Sequence, residues 1–435
     1  MGILRRQTKN DNNAVVLQSG ECAAIANASL VGVAEAWQEL NDGVLFGSLF
    51  GIEGLIKNKL ISLYPRDDFQ KTTAINYAPS AALGSSVHKL KDESGAPKEE
   101  ALFRIFGVLA ARKIGYLFLI GGEDSRENAH TISQHAKNLE SDLAVLHIPK
   151  SIENDLTFNH HSPGYLSAAQ FIINSVARLD LANRAMPGVM INVVMGKSAG
   201  WLAAAARVSR ECVASVAAAN GYLLDKTLAE QSAGPHLIYL PEINFSTERF
   251  VADVSRVMEK FGRAHVVVAE GIVEHNAIKD YVVKIHGANF VKELCGNGIL
   301  GALLCHIVKK QTHIQQICSN TFGCLQRVSE QSASDRVEAY KAGHYAVRVA
   351  RDGLSHAMIT LGSADKIQYS SKIGHADLSL AYEKSKPRIK TFPCKLIING
   401  NNIADEFLGY IGAGEDDTRT IENPIFRVFD FNQVT

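Results

Sequence analysis

The sequence predicts an α/β fold built on parallel sheet, and three observations carry that expectation. Short apolar runs, rich in β-branched residues, recur along the chain. Amphipathic stretches of helical length separate them. The runs themselves do not alternate with polar residues, so each would be buried on both faces, as in a parallel sheet covered by helices. At 435 residues the chain has room for two or three domains of roughly 150 residues.

In chain order the runs are Ala14–Gln18, Tyr116–Ile120, Leu143–Ile148, Val189–Met195, Leu237–Leu240 and His265–Ala269. Helical patterns are predicted over about 23–41, 125–139, 165–185, 198–210, 246–262 and 296–310. Two stretches, 213–235 and 271–285, read as irregular. Beyond Ser371 the chain is rich in Lys, Pro and Asn and is expected to wrap the body, with Phe426–Phe431 as an edge strand. Sheets of this kind bind ligands outside the carboxyl ends of their strands, so functional residues are expected just after each run.

Composition narrows the partners. Lys and Arg number 45, and Asp and Glu number 45, so no basic excess exists to release counterions from a nucleic acid. Hydrophobic residues make up 46% and charged residues 21%, which is too apolar for general disorder. No apolar run approaches the roughly 18 residues of a membrane span. The N-terminal segment turns polar after Arg5 and Arg6, and no secretory core follows. Seven cysteines (22, 212, 295, 305, 318, 324 and 394) form no CxxC pair and read as reduced thiols. The expectation is a cytoplasmic protein with no membrane or nucleic-acid partner.

Four segments following runs carry chemistry. Gly121-Gly122-Glu123-Asp124-Ser125 opens a helix, where backbone N–H groups and the helix dipole favour a phosphate. Its acidic pair calls for a bridging Mg²⁺, although Asp and Ser at a helix start also serve as plain caps. Pro149-Lys150-Ser151-Ile152-Glu153-Asn154-Asp155 sets carboxylates two residues apart beside a cation and a hydroxyl. Such a set can take a proton from an alcohol, or be a solvated loop. Met195-Gly196-Lys197-Ser198-Ala199-Gly200-Trp201 is again a strand, glycine turn and helix. Pro241-Glu242 offers a carboxylate for sugar hydroxyls, or a surface turn.

In this order the segments resemble the phosphofructokinase family. Ser19-Gly20-Glu21 and Asn27-Ala28-Ser29 precede them, and Gly323-Cys324-Leu325-Gln326-Arg327 follows. Gly51-Ile52-Glu53-Gly54, Leu83-Gly84-Ser85 and Val268-Ala269-Glu270-Gly271 add to the match, which spans Val15 to Gly353. The resemblance implies two Rossmann-like doubly wound lobes. A phosphoryl-donor lobe would comprise 1–163 with about 318–390, a sugar-phosphate lobe 164–317, and a wrap 391–435. Asp124, where ATP-dependent members have glycine, and Lys150 both resemble the diphosphate-dependent branch. The implied reaction moves a phosphoryl group from inorganic diphosphate to the 1-hydroxyl of fructose 6-phosphate, with Mg²⁺, in a reversible glycolytic step.

By the same resemblance Glu153 is the general base, and Gly20, Gly122 and Lys150 bind diphosphate. Glu123, Asp124 and Asp155 hold the metal; Ser151, Met195, Gly196, Lys197, Glu242 and Arg327 bind the sugar phosphate. The family's usual base is Asp, one methylene shorter than Glu153. Glu21, Val87, Lys197, Gly188 and Cys324 also depart from the pattern, and several remove cations or glycines that hold phosphate. The alternative is therefore a catalytically impaired paralogue acting as a regulatory or structural subunit. The resemblance implies a homodimer or homotetramer, or in the alternative a hetero-oligomer with an active relative. A Rossmann dehydrogenase is disfavoured because no G-x-G-x-x-G follows the first run.

Overall fold

The computed structural model describes residues 12–40, 43–63, 74–212, 232–286, 298–363, 371–383 and 386–411. The expected edge strand at Phe426–Phe431, most of 213–235, and Cys295 lie outside the described residues. In chain order the main strands are β1 (Asn13–Gln18), β2 (Leu45–Ser48), β3 (Leu60–Ser62), β4 (Ile114–Gly121), β5 (Ala144–Pro149) and β6 (Val189–Val194). They continue with β7 (Leu237–Tyr239), β8 (Ala264–Ala269), β9 (Ile317–Thr321), β10 (Ala357–Ser363) and β11 (Ser371–Asp377). Each apolar run of the sequence coincides with one of these strands, with Leu143, Met195 and Leu240 falling one residue outside.

Contacts divide the chain into two units. The first is Met1–Ser167 with Arg327–Ile389, and the second is Ala168–Gln326 with Lys390–Thr435. The first unit holds a seven-stranded sheet in the order β11-β10-β5-β4-β1-β2-β3. Its inner pairs are parallel, and only the outer β3 and β11 run antiparallel to their neighbours. The second unit holds a four-stranded parallel sheet, β7-β8-β6-β9. All residues of β5, β6 and β8 are buried, which is why these runs show no alternation.

The structure corrects the sequence reading in several places. The stretch 271–285, expected to be irregular, carries the α-helix Asn276–His286, whose Ile278 and Val282 are fully buried at i and i+4. Beyond Ser371 the chain first forms β11, an edge strand whose exposed outer side makes it polar. The helix expected over 198–210 begins at Trp201, tightens to a 3₁₀ turn at Ala206–Val208 and is α-helical again over 209–212. Strands β2, β3, β9 and β10 and the helices Glu99–Ala111 and Ala333–Arg351 were not anticipated.

In the first unit, helices Ala26–Leu40 and Ala333–Arg351 pack through glycine. A Cβ on Gly32 would meet Tyr340 O at 2.1 Å, and one on Gly343 would meet Ser29 O at 2.1 Å. Backbone cannot yield as a flexible side chain can, so the helices would have to part. Gly343→Val is expected to cost about 1–3 kcal/mol, read as a lower urea midpoint. An unchanged midpoint would show that the helices tolerate separation.

Candidate active site

In the first unit the carboxyl ends of β4 and β5 lie side by side, with Gly121 paired to Pro149. The Lys150 N–H donates to Gly121 O at 2.9 Å, and His147 Nε2 lies 3.0 Å from the same oxygen. A Cβ on Gly121 would come within 2.0 Å of Ser125 Oγ, so the turn admits only glycine. Gly122 then caps helix Glu123–Asn138, whose first-turn N–H groups and dipole favour an anion.

His147 is wholly buried, and burial holds it down to about 3. An unfolded histidine titrates near 6.5, so between these values the unfolded chain binds the extra proton. The native state therefore keeps its full stability above about 6.5 and loses it as pH falls below that. At pH 5 the loss from this residue is about 2 kcal/mol. His147→Gln is expected to flatten the fall in melting temperature between pH 7 and pH 5; parallel curves for the two proteins would contradict this.

The Lys150 side chain is buried, its ammonium donates to the Glu21 carbonyl, and burial lowers it to about 8. The Glu21 carboxylate pairs with Arg327, whose side chain is only 8% exposed. Gly20 has φ +76, and its N–H donates to Ser86 O at 2.9 Å. Two cations expected on substrate phosphates thus both meet residue Glu21.

The loop after β5 is wired by short polar side chains. Ser151 Oγ donates to Asp155 Oδ1 at 2.6 Å and accepts from the Glu153 N–H at 3.2 Å. Asn154 adopts φ +55 and accepts from the Ser162 N–H at 3.0 Å. The loop's far end is held by the buried Asp335, which accepts from Gly164 N, Ser167 N and Ser167 Oγ. Beside it, His161 Nε2 lies 2.6 Å from Glu338 Oε2. Glu153 sits partly exposed within this braced loop.

The expected metal residues are not gathered as a trio. Among the described residues no group of three His, Cys, Asp or Glu is placed to hold a metal. Asp124 pairs with Lys89 at 2.9 Å. Glu123 pairs with the buried Arg126 through Oε2, while its Oε1 is buried without a hydrogen-bond partner. Burial pushes Glu123 up to about 7 against the pull of Arg126, and the neighbouring Asp155 adds to the rise. A divalent cation fits this pair, because it would supply the partner that Glu123 Oε1 lacks. Mg²⁺ commonly takes one or two carboxylates and completes its shell with water and phosphate oxygens. Arg126 was missed by sequence reading; its only signal was an acid–base spacing of three on a helix. It also donates to Thr157 Oγ1 at 2.8 Å and Arg388 O at 2.9 Å.

In the second unit, Met195-Gly196-Lys197 follows β6. Gly196 has φ +135, and a Cβ there would meet Ala199 O at 2.6 Å. The Met195 N–H donates to Gln326 Oε1 at 3.1 Å, a positioning contact the sequence did not reveal. Gly271 N–H donates to Gly196 O at 3.1 Å, and the Gly196 N–H donates back to the carboxylate of Glu270, whose pKa is raised by burial. Lys197 is exposed nearby. Glu242 Oε1 accepts from the Gly200 N–H at 2.9 Å, and burial raises its pKa too.

The departures from the family pattern also have places. Val87 is 60% exposed, and Cys324 is exposed. A Cβ at Gly188 would lie 2.5 Å from Gln316 O, so this backbone has no room for a long cation there. No helix among the described residues is long and apolar enough to cross a membrane.

Comparison with known proteins follows the same lines. The phosphofructokinase family model matches residues 13–350. The chain is 33% identical over 430 residues to the pyrophosphate–fructose 6-phosphate 1-phosphotransferase of Rhodospirillum rubrum, covering 96% of this chain and 98% of that protein. It is 30% identical over 389 residues to the protein of the same name from Halomonas elongata, covering 86% and 85%. Among solved structures, the pyrophosphate-dependent phosphofructokinase of Marinobacter aquaeolei matches with a TM-score of 0.74 at 27% identity, over 92% of this chain and 90% of that one.

Proposed function

The chain belongs to the phosphofructokinase family, and from that premise we propose that it transfers a phosphoryl group from inorganic diphosphate to the 1-hydroxyl of fructose 6-phosphate. The observation carrying the donor assignment is Lys150, a buried ammonium at the carboxyl end of β5. Beside a glycine turn and a helix N-terminus, that charge suits a small free anion. Asp124, on the first turn of the same helix, crowds the position a nucleotide's inner phosphate would need.

Phosphoryl transfer asks mainly for positioning and charge neutralisation. Lys150, Gly122 and Gly20 would hold diphosphate. Glu153 would accept the proton of the sugar 1-hydroxyl, with Ser151 fixing the loop beneath it. Glu123 and Asp155 would hold Mg²⁺, which when bound neutralises the charge on the diphosphate oxygens; Asp124 would join them only by leaving Lys89. In the second unit Met195, Gly196, Lys197 and Glu242 would bind the sugar phosphate, a role the family pattern also gives to Arg327. The expected assembly is a homodimer or homotetramer, checked by light scattering on purified protein.

Ligand binding tests the reading directly, because a ligand that binds only the native state must stabilise it. Magnesium diphosphate with fructose 6-phosphate is expected to raise the melting temperature, and magnesium ATP is not. A shift with ATP alone would overturn the donor assignment.

One observation favours a second reading. Arg327 is engaged by Glu21, an acid of this chain, in the glycine loop where a phosphate is expected. In that reading the chain is an impaired paralogue that keeps the scaffold and serves as a subunit of an active relative.

A further inference from the structure

Within the second unit, one oxygen of Glu242 is fixed and the other is left to accept. Oε1 takes N–H groups from Gly200 at 2.9 Å and from Phe392 at 2.7 Å, whereas Oε2 is buried with no hydrogen-bond partner. The second of those donors comes from far along the chain. Phe392 belongs to segment 390–411, which but for Lys390 falls within the expected wrap 391–435.

That segment is docked at two places. At one, Trp201 Nε1 donates to Lys390 O at 3.1 Å, and the Trp201 ring lies 5.1 Å from Phe392 and 4.9 Å from Tyr410. Phe407, wholly buried, sits 5.1 Å from Phe392 and 5.7 Å from Tyr410 and closes the cluster. The Lys390 ammonium lies 4.4 Å from the Trp201 ring centre. At the other, midway along the segment, Asn401 donates to Asp253 Oδ2 at 2.6 Å and accepts from Ile238 N–H of β7 at 2.9 Å. Trp201 directly follows Gly200, so the ring cluster fixes both backbone donors to Glu242 together.

We propose that segment 390–411 is a positioning element for Glu242, so that affinity for the sugar phosphate depends on the docking of Phe392 and Phe407. This rests on the proposed reading of Glu242 as a ligand of sugar hydroxyls. Orientation of the free oxygen is what the segment contributes. A displaced segment would leave the Phe392 N–H elsewhere and let the carboxylate turn.

The experiment uses the full chain. Fructose 6-phosphate binding is measured by calorimetry, and the KM values for fructose 6-phosphate and diphosphate are measured with kcat. Phe407→Ala is expected to weaken fructose 6-phosphate at least tenfold in both Kd and KM. The diphosphate KM and kcat at saturating sugar should stay within about twofold, and Phe407→Leu should recover most of the lost affinity. Where Phe407→Ala fails to fold, the half-buried Tyr410→Ala is read in the same way. Equal Kd values for the wild type and these variants would overturn the inference alone, as would a parallel loss for both substrates. A wild-type protein that binds no fructose 6-phosphate would overturn the functional reading and this inference with it.

Discussion

Glu153→Gln is expected to lower turnover by roughly 10²- to 10⁴-fold, the usual contribution of a positioned general base. The substitution keeps the size of the side chain and removes its capacity to take a proton. Ser151 and Asn154 brace the loop through their own hydrogen bonds, so the loop backbone should stay in place. Glu153→Asp should maintain or raise turnover, because it restores the shorter acid usual in the family. A misplacement of about an ångström can cost roughly a hundredfold, which is the scale on which the extra methylene acts. Turnover that survives Glu153→Gln unaltered would remove Glu153 from the mechanism.

The second large effect concerns Glu21. Its carboxylate is half exposed, while its partner Arg327 is mostly buried. Glu21→Gly should leave the guanidinium without its acid and open the loop to an external anion. The melting temperature of the unliganded variant should fall. Diphosphate should then restore it, and the half-saturating diphosphate concentration should drop about tenfold, or about 1.4 kcal/mol of binding. If the wild type is inert and this variant binds diphosphate, the impaired-subunit reading gains its physical cause. A variant whose response to diphosphate equals that of the wild type would show that Glu21 does not stand in an anion's place.

The parts legible in the sequence were those whose environment is uniform. β5, β6 and β8 are buried on both faces, so their burial is written as unbroken apolar runs. β9 and β11 lie at sheet edges, partly exposed, and their residues Ile-Cys-Ser-Asn-Thr and Ser-Lys-Ile-Gly-His-Ala-Asp carry no such signal. Helix Asn276–His286 did leave a trace, in the spacing of Ile278 and Val282, but only within a short segment. The site loops could be placed because glycine turns and acids follow the strand ends directly. Their partners could not: the pairing of Glu21 with Arg327, of Asp124 with Lys89, and of Asp335 with Gly164 and Ser167 is fixed by tertiary packing alone. The Glu242–Phe392 bond is of the same kind.

The central claim is the phosphoryl donor. Purified protein is incubated with fructose 6-phosphate and Mg²⁺, with either diphosphate or ATP, and fructose 1,6-bisphosphate is measured. Formation of the bisphosphate from diphosphate, with none from ATP and with the reverse reaction observed on adding phosphate, is the predicted result. Turnover with ATP alone would contradict the assignment of Lys150 and Asp124 to a free diphosphate. Absence of turnover with both donors would contradict the enzyme itself and leave the chain a subunit on a catalytic scaffold.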